Sequence, residues 1–304
     1  DRLTEYRKVK KITYKTTELK KLKFFIVRKN NNINLAIKLF YFLIIFNLFV
    51  SMTTIEKYNI IFYYSSILIK INQTGINQVY YDINNKGCNY PAPFPDEIYI
   101  NDLNQSEIKS FYELDKPENN ITLIWRKDIT SMACMFYACS NITDIDFSNF
   151  NTNGITDLFL LFYECSSILS LDLSQFNTKK VGYMNNVFQG CSKLYSINLS
   201  SFNTSIVSRM DSMFEGCSAL TKIDISNFNI NKVTNMNNIF KNCISLKYIN
   251  LENTVYAENL YSQILGIISQ NIIICSKIED WIRKLISLKI CRIQCNDYDN
   301  EKLT

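Results

Sequence analysis

Cysteine brings the most chemistry to this 304-residue chain, and five of its ten cysteines share one spacing. Cys139, Cys165, Cys191, Cys217 and Cys243 keep a 26-residue spacing without a slip. Thiolates hold metals and form disulfides, but a zinc site needs close C-x-x-C pairs or histidine. The chain has no C-x-x-C pair and no histidine at all. Neighbours in a stacked column lie about 5 Å apart at Cα, within reach of a disulfide, yet their side chains point the same way rather than at each other. An odd number cannot pair completely. The column therefore reads as buried free thiols, cysteine being a small apolar residue that packs readily. The alternative is metal or disulfide use.

A second column offers oxygen. Asp146, Asp172, Asn198, Asp224 and Asn250 repeat at the same 26-residue spacing, each between apolar residues that alternate around it. Alternation turns this column outward, where it forms either a ligand surface with weak affinity for Ca²⁺ or a solvated ladder in which Asn relieves carboxylate repulsion. The neighbouring column Ser148, Ser174, Ser200, Ser226 and Glu252 points inward or toward the turn after the strand and reads as structural. Catalysis finds no support. Without histidine there is no Ser-His-Asp or Cys-His arrangement and no H-E-x-x-H, and neither G-x-G-x-x-G nor a P-loop occurs. A glycosidase needs one differentiated carboxylate pair, which a regularly repeated column does not supply. No catalytic residue, metal or cofactor is expected.

The elements that position both columns come from the repeat itself. Phe136, Phe162, Phe188, Phe214 and Phe240 keep the period, as do Phe150, Phe176, Phe202 and Phe228. A fixed period of this length signals a stacked repeat. Within one period Ile155, Leu158, Phe162 and Cys165 are spaced three, four and three apart, which predicts a helical turn. Ile168, Leu171 and Leu173 then alternate, which predicts a short strand. Strand plus helical arm is the unit of a leucine-rich repeat. Five such strands about 4.8 Å apart would enclose an apolar interior roughly 20 Å long. The expected fold is an α/β solenoid, a right-handed leucine-rich repeat array of about five 26-residue units, with a β-rich N-terminal cap and a helical C-terminal cap. The columns of Phe136 to Phe240 and Cys139 to Cys243 form its core.

The unit's wording adds to this. The segments "MFEGCSALTKIDISNFNINKVTNM" and "LDLSQFNTKKVGYMNNVFQGCSKL" resemble the BspA-type leucine-rich repeat surface proteins, over about 125 of 304 residues. The resemblance implies a cell-surface binder engaged in adhesion or host and matrix contact.

Four segments follow in order. Residues 1–52 join a basic run to Leu39–Val50 (LFYFLIIFNLFV), the order of a secretory signal peptide or membrane anchor. Residues 1–29 hold eleven Lys or Arg against three acids, a local +8, so the remainder of the chain carries −3 of the total +5. Because that basic run precedes an apolar core, it does not read as a nucleic-acid arm. Residues 53–128 alternate like strands and read as the N-terminal cap; 129–258 are the repeats; 259–304 are the C-terminal cap. There Ser276 and Glu279 have the form of a capping box, and Ile278, Trp281, Ile282, Leu285 and Leu288 share a face of a helix over 277–290. Such a helix holds Cys275 and Cys291 about 20 Å apart, so either it forms and they stay unpaired, with Cys291–Cys295 a possible local bridge, or they pair and the helix is broken; the helix is the favoured reading. Sequons at Asn72, Asn104, Asn120, Asn141, Asn198 and Asn203 are possible glycosylation sites and agree with a secretory route. The expectation is a non-enzymatic scaffold at the cell surface or outside the cell, binding a protein or glycan through its exposed strand face, with membrane contact through the N-terminal segment. A structural coat protein and an intracellular leucine-rich repeat regulator are the alternatives.

Overall fold

The computed structural model describes residues 65–81, 87–88, 92–252, 254 and 272–275. The chain divides into two units, 1–62 and 63–304, and every described residue belongs to the second. The apolar stretch Leu39–Val50, the helix expected over 277–290 and the Cys291–Cys295 bridge lie outside the described residues. Cys275, expected at the start of that helix, ends a strand.

Sequence alternation builds the first sheet. In β1 (Ser65–Ile71) every second residue is buried, so Ile67, Ile69 and Ile71 face the core while Leu68 and Lys70 face out. The same alternation runs through β6 (Asn119–Trp125) and β3 (Glu97–Ile100). With β4 (Leu103–Asn104) and β7 (Ile142–Asn149) these strands pair antiparallel in the order β4-β3-β6-β1-β7. A separate antiparallel pair joins β2 (Gly75–Gln78) to β5 (Phe111–Leu114). From there on the strands are only three residues long: β8 (Ser170–Asp172), β9 (Ser196–Asn198), β10 (Lys222–Asp224), β11 (Tyr248–Asn250) and β12 (Ile273–Cys275). They pair in parallel, β8 with β9 and β10-β11-β12, in register at the 26-residue period as far as β11.

This overturns the α/β solenoid. No helix occurs among the described residues, so the unit is not the strand-plus-helix of a leucine-rich repeat. Nor do the strands join into one continuous parallel sheet; they form small separate sheets, with no backbone pairing between β7 and β8 or between β9 and β10.

The physical reason lies in where the amide hydrogens go. A helix would spend each N–H on the carbonyl four residues back. Here alternate amides leave the segment: Met132, Cys134, Phe136 and Ala138 donate to the carbonyls of Asp157, Phe159, Leu161 and Tyr163 in the next unit. The amides between them close three-residue turns, as in Cys139 N to Phe136 O. The next three units repeat this, starting at Leu158, Met184 and Met210, and alternation of direction requires left-handed residues. Cys134, Leu160, Asn186, Ser212 and Asn238 all have φ of 55–62°, and Ala138, Glu164, Gly190, Gly216 and Asn242 form a second such column. Glycine is the residue best suited to it: a Cβ on Gly190 would lie 3.2 Å from Glu164 Cα in the preceding unit. The three-four-three spacing is thus met by consecutive turns that still bury Leu158, Phe162 and Cys165.

Stacking fills the interior. Phe136, Phe162, Phe188, Phe214 and Phe240 form one near-parallel pile with centroids 5.7, 5.7, 5.4 and 5.6 Å apart. Phe176, Phe202 and Phe228 form a second at 6.3 and 6.5 Å. The first unit has no predecessor, and the N-terminal segment takes that place. Tyr81 N and Ala92 N donate to the carbonyls of Met135 and Ala133, and Gln78 Nε2 donates to that of Tyr137. A disulfide between Cys88 and Cys134 holds the same junction, with Cα atoms 6.3 Å apart.

A buried threonine column fastens the turns. Thr178 Oγ1 accepts from Asn203 N at 2.7 Å and donates to Asn203 O at 3.0 Å; Thr204 treats Asn229 in the same way. Thr178→Val keeps the shape but leaves both Asn203 backbone groups without this partner. It is expected to cost about 1–3 kcal/mol in urea unfolding. A loss under about 0.5 kcal/mol would show that the hydroxyl contributes nothing.

Candidate functional site

The outward column supplies the last residue of β8, β9, β10 and β11, and in the longer β7 it lies within the strand at Asp146. Asp146, Asp172, Asn198 and Asp224 are exposed and Asn250 is half-buried. Each does a local job that the sequence reading missed. The side-chain oxygen of Asp146, Asp172, Asn198, Asp224 or Asn250 accepts the backbone N–H two residues on, at 2.7–3.1 Å. This is an Asx turn, and in β8 to β11 it ends the strand. The donors are Ser148, Ser174, Ser200, Ser226 and Glu252, so that column serves the turn through its backbone. Hydrogen bonds from Ser174, backbone first, hold the Asp172 carboxyl below the usual carboxylate range. Because Asn198 and Asn250 make the same turn, Asp172→Asn is expected to leave stability within about 0.5 kcal/mol, and Asp172→Ala to cost about 1 kcal/mol. Equal losses for the two would remove the turn from the account; urea midpoints decide it.

Around this column the outer face is polar and small. Ser170, Ser196 and Lys222 stand exposed one strand position from the core residues Leu171 and Ile223 or the half-buried Ile197. Leu169 and Tyr195 border the face, 46% and 54% exposed. Between β7 and β8, where backbone pairing lapses, a half-open groove of about 360 Å³ appears. Leu68, Ile145 and Phe147 line its apolar part. Lys70, Asp144, Asp146 and Asp172 supply its charge, and Ser148, Ser170 and Gln175 complete it. Lys70 Nζ sits 2.7 Å from Asp144 Oδ2, and that contact raises the lysine above its ordinary value.

The five column cysteines are buried and none is paired. Each thiol from Cys165 to Cys243 donates to the carbonyl of the phenylalanine 29 residues earlier, Phe136, Phe162, Phe188 or Phe214, at 3.0–3.2 Å. Cysteine is therefore a hydrogen-bonding fastener between units as well as filler. Burial pushes all five thiols up, Cys243 to about 12. Thiols so placed are poor nucleophiles and poor metal ligands. Among the described residues no group of three or more His, Cys, Asp or Glu is arranged to hold a metal ion. The sequence reading missed Cys88–Cys134; its signal is that Cys134 stands outside the 26-residue column.

The sequons divide by exposure. Asn72, Asn104, Asn120 and Asn198 are exposed, whereas Asn141 and Asn203 are half-buried and hydrogen-bonded through their side chains. No helix among the described residues is long and apolar enough to cross a membrane. The expected signal peptide and membrane anchor gain nothing from the described residues, which begin after that segment.

A chain of in-register 26-residue units with an outer face of this kind defines a repeat protein. It belongs to the family described as "Mycoplasma protein of unknown function, DUF285", whose model matches residues 105–198 and 156–264, together more than half of the chain. Neither a curated protein nor a solved structure matches it.

Proposed function

We propose that this protein is a non-catalytic interaction scaffold of the cell surface or extracellular space, binding a protein or glycan through the outer face of its stacked strands. One observation carries the reading: each unit spends its apolar columns on stacking and presents the same polar positions outward at every 26-residue step. The units are tied together through backbone amides, so the face is preorganised, which lowers the cost of binding. The wording shared with BspA-type surface proteins points the same way. A buried Cys88–Cys134 disulfide supports the compartment, because such bonds persist where the surroundings are oxidising.

The compartment is tested by peptide mapping of the native, alkylated protein. A Cys88–Cys134 linked peptide is expected, with Cys165, Cys191 and Cys217 labelled only after unfolding. Reduced Cys88 and Cys134 in freshly isolated protein would argue for an intracellular protein. Binding is tested with the full chain on arrays of extracellular proteins and glycans, beside a Ser170→Arg, Ser196→Arg, Lys222→Glu variant. These three exposed positions lie outside the turn bonds, so folding is expected to survive. Loss of the wild-type signal in the variant supports the face; equal binding by both, or none by either, overturns it.

A further inference from the structure

The groove between β7 and β8 narrows the choice of partner, and this narrowing rests on the outer-face reading proposed above. Its volume of about 360 Å³ falls within the range of small ligand sites, so it takes one side chain or one small group rather than a folded surface. Its chemistry is two-sided. Leu68 and the small uncovered parts of the core residues Ile145 and Phe147 offer apolar surface, while the charged lining is three carboxylates against one ammonium. The ammonium of Lys70 is already engaged by Asp144. Asp146 and Asp172, on neighbouring strands, therefore set the sign of what remains.

An anion is repelled by that rim, and a purely apolar group strips water from Asp146 and Asp172 while leaving their charge unmatched, because their turn bonds come from the neutral donors of Ser148 and Ser174. The group that satisfies both parts is a charged head on an aliphatic stem. Lysine and arginine side chains have this form, packing their methylenes on apolar surface and keeping the charge at its edge. Beside the groove, Leu169 and Tyr195 leave about half of their surface in solvent, next to the lining residue Ser170 and its neighbour Ser196. A free amine would leave that apolar pair uncovered. A polypeptide would cover it, and exposed tyrosine among serines is a composition suited to protein contact.

We propose that the β7–β8 groove receives an arginine or lysine side chain of a basic polypeptide partner, with Leu169 and Tyr195 as the apolar contact beside it.

The test uses the full chain and three probes: a Gly/Ser peptide carrying two arginines, its Arg→Gln counterpart, and a neutral oligosaccharide, followed by isothermal titration and by NMR shifts of the outer face. The arginine peptide is expected to bind at least tenfold more tightly than the glutamine peptide. The double variant Asp146→Asn, Asp172→Asn keeps the turn oxygens and removes two charges, so it is expected to lose at least tenfold in affinity with an unchanged urea midpoint. Tyr195→Ser is expected to weaken the same peptide severalfold. The exposed Asp115→Asn, which removes a charge elsewhere, is expected to leave binding unchanged.

Equal loss from Asp115→Asn reduces the effect to general electrostatics and overturns the proposal. So does preference for the oligosaccharide, or displacement of the peptide by micromolar Ca²⁺. If a partner found on the arrays is lost with the Ser170, Ser196 and Lys222 variant but is not displaced by the arginine peptide, the face stands and the groove assignment falls. If neither arrays nor peptide bind, both fall.

Discussion

Raising the pH above about 8.5 is expected to unfold this protein over a narrow range, with the urea midpoint falling steeply between about pH 8.5 and 10. The cause is the column of five buried thiols. An ordinary thiol ionises near 8.5, whereas burial pushes Cys139, Cys165, Cys191, Cys217 and Cys243 far above that value in the folded chain. The unfolded state then releases protons that the folded state keeps, so stability falls as pH rises. The contribution is complete below the unfolded value and is lost on the way up to the folded ones. One pH unit above the ordinary value, each thiol costs about 1.4 kcal/mol, or about 7 kcal/mol for five. A domain of ordinary stability has only about 5–15 kcal/mol to lose. Urea titrations at half-unit intervals from pH 7 to 10 check this, and Cys191→Ala is expected to flatten the slope by about a fifth. A midpoint that stays level to pH 10 would contradict the burial of the column.

Phe188→Ala is expected to destabilise the fold by about 3–5 kcal/mol. Phe188 is fully buried, with Phe162 at 5.7 Å on one side and Phe214 at 5.4 Å on the other. Removing the ring opens a gap in the middle of the pile and weakens two interfaces together. In a chain whose units touch only their neighbours, a central gap also uncouples the two halves, so the transition is expected to broaden as well as shift. Phe136 does not escape by standing first, because Tyr80 and Phe147 meet its ring edge-on at 6.4 and 6.3 Å. Phe136→Ala is therefore expected to cost a similar amount, with less broadening. Equilibrium unfolding followed by tyrosine fluorescence and by far-ultraviolet circular dichroism separates the two effects. A loss below about 1 kcal/mol for Phe188→Ala would mean that the pile closes over the gap.

The period alone marks which residues share a column, and the structure places Phe162, Cys165 and Leu171 inside and Asp172 outside. The helical arm failed because spacing records which side chains are buried and not where the amides point. Phe162, Cys165 and Leu158 can share an interior on a helix or on consecutive turns. The choice between them is made by bonds to the neighbouring unit, such as Phe136 N to Leu161 O. Cys88 and Cys134 were missed for the same reason, since 46 residues separate them and only the fold brings them together. The job of Asp172 was visible in principle. An Asp or Asn followed two places later by serine, in unit after unit, is the mark of a side chain that closes its own turn.

Closure of the first unit by a separate segment bears on inheritance. The first unit meets the N-terminal segment, through the carbonyls of Ala133, Met135 and Tyr137 and through the β1–β7 pairing, whereas the carbonyls of Asp157, Phe159, Leu161 and Tyr163 meet another unit, and so do their counterparts further along. Interior units are thus interchangeable parts. An in-frame duplication or deletion of one whole unit, for example Val181 to Ile206, leaves the opening junction and every remaining interface intact. Copy number is then free to drift between generations while the fold persists, and each change lengthens or shortens the outer face by one strand, about 4.8 Å. Sequence variants of this chain are expected to differ by whole 26-residue units in this stretch far more often than by one or two positions.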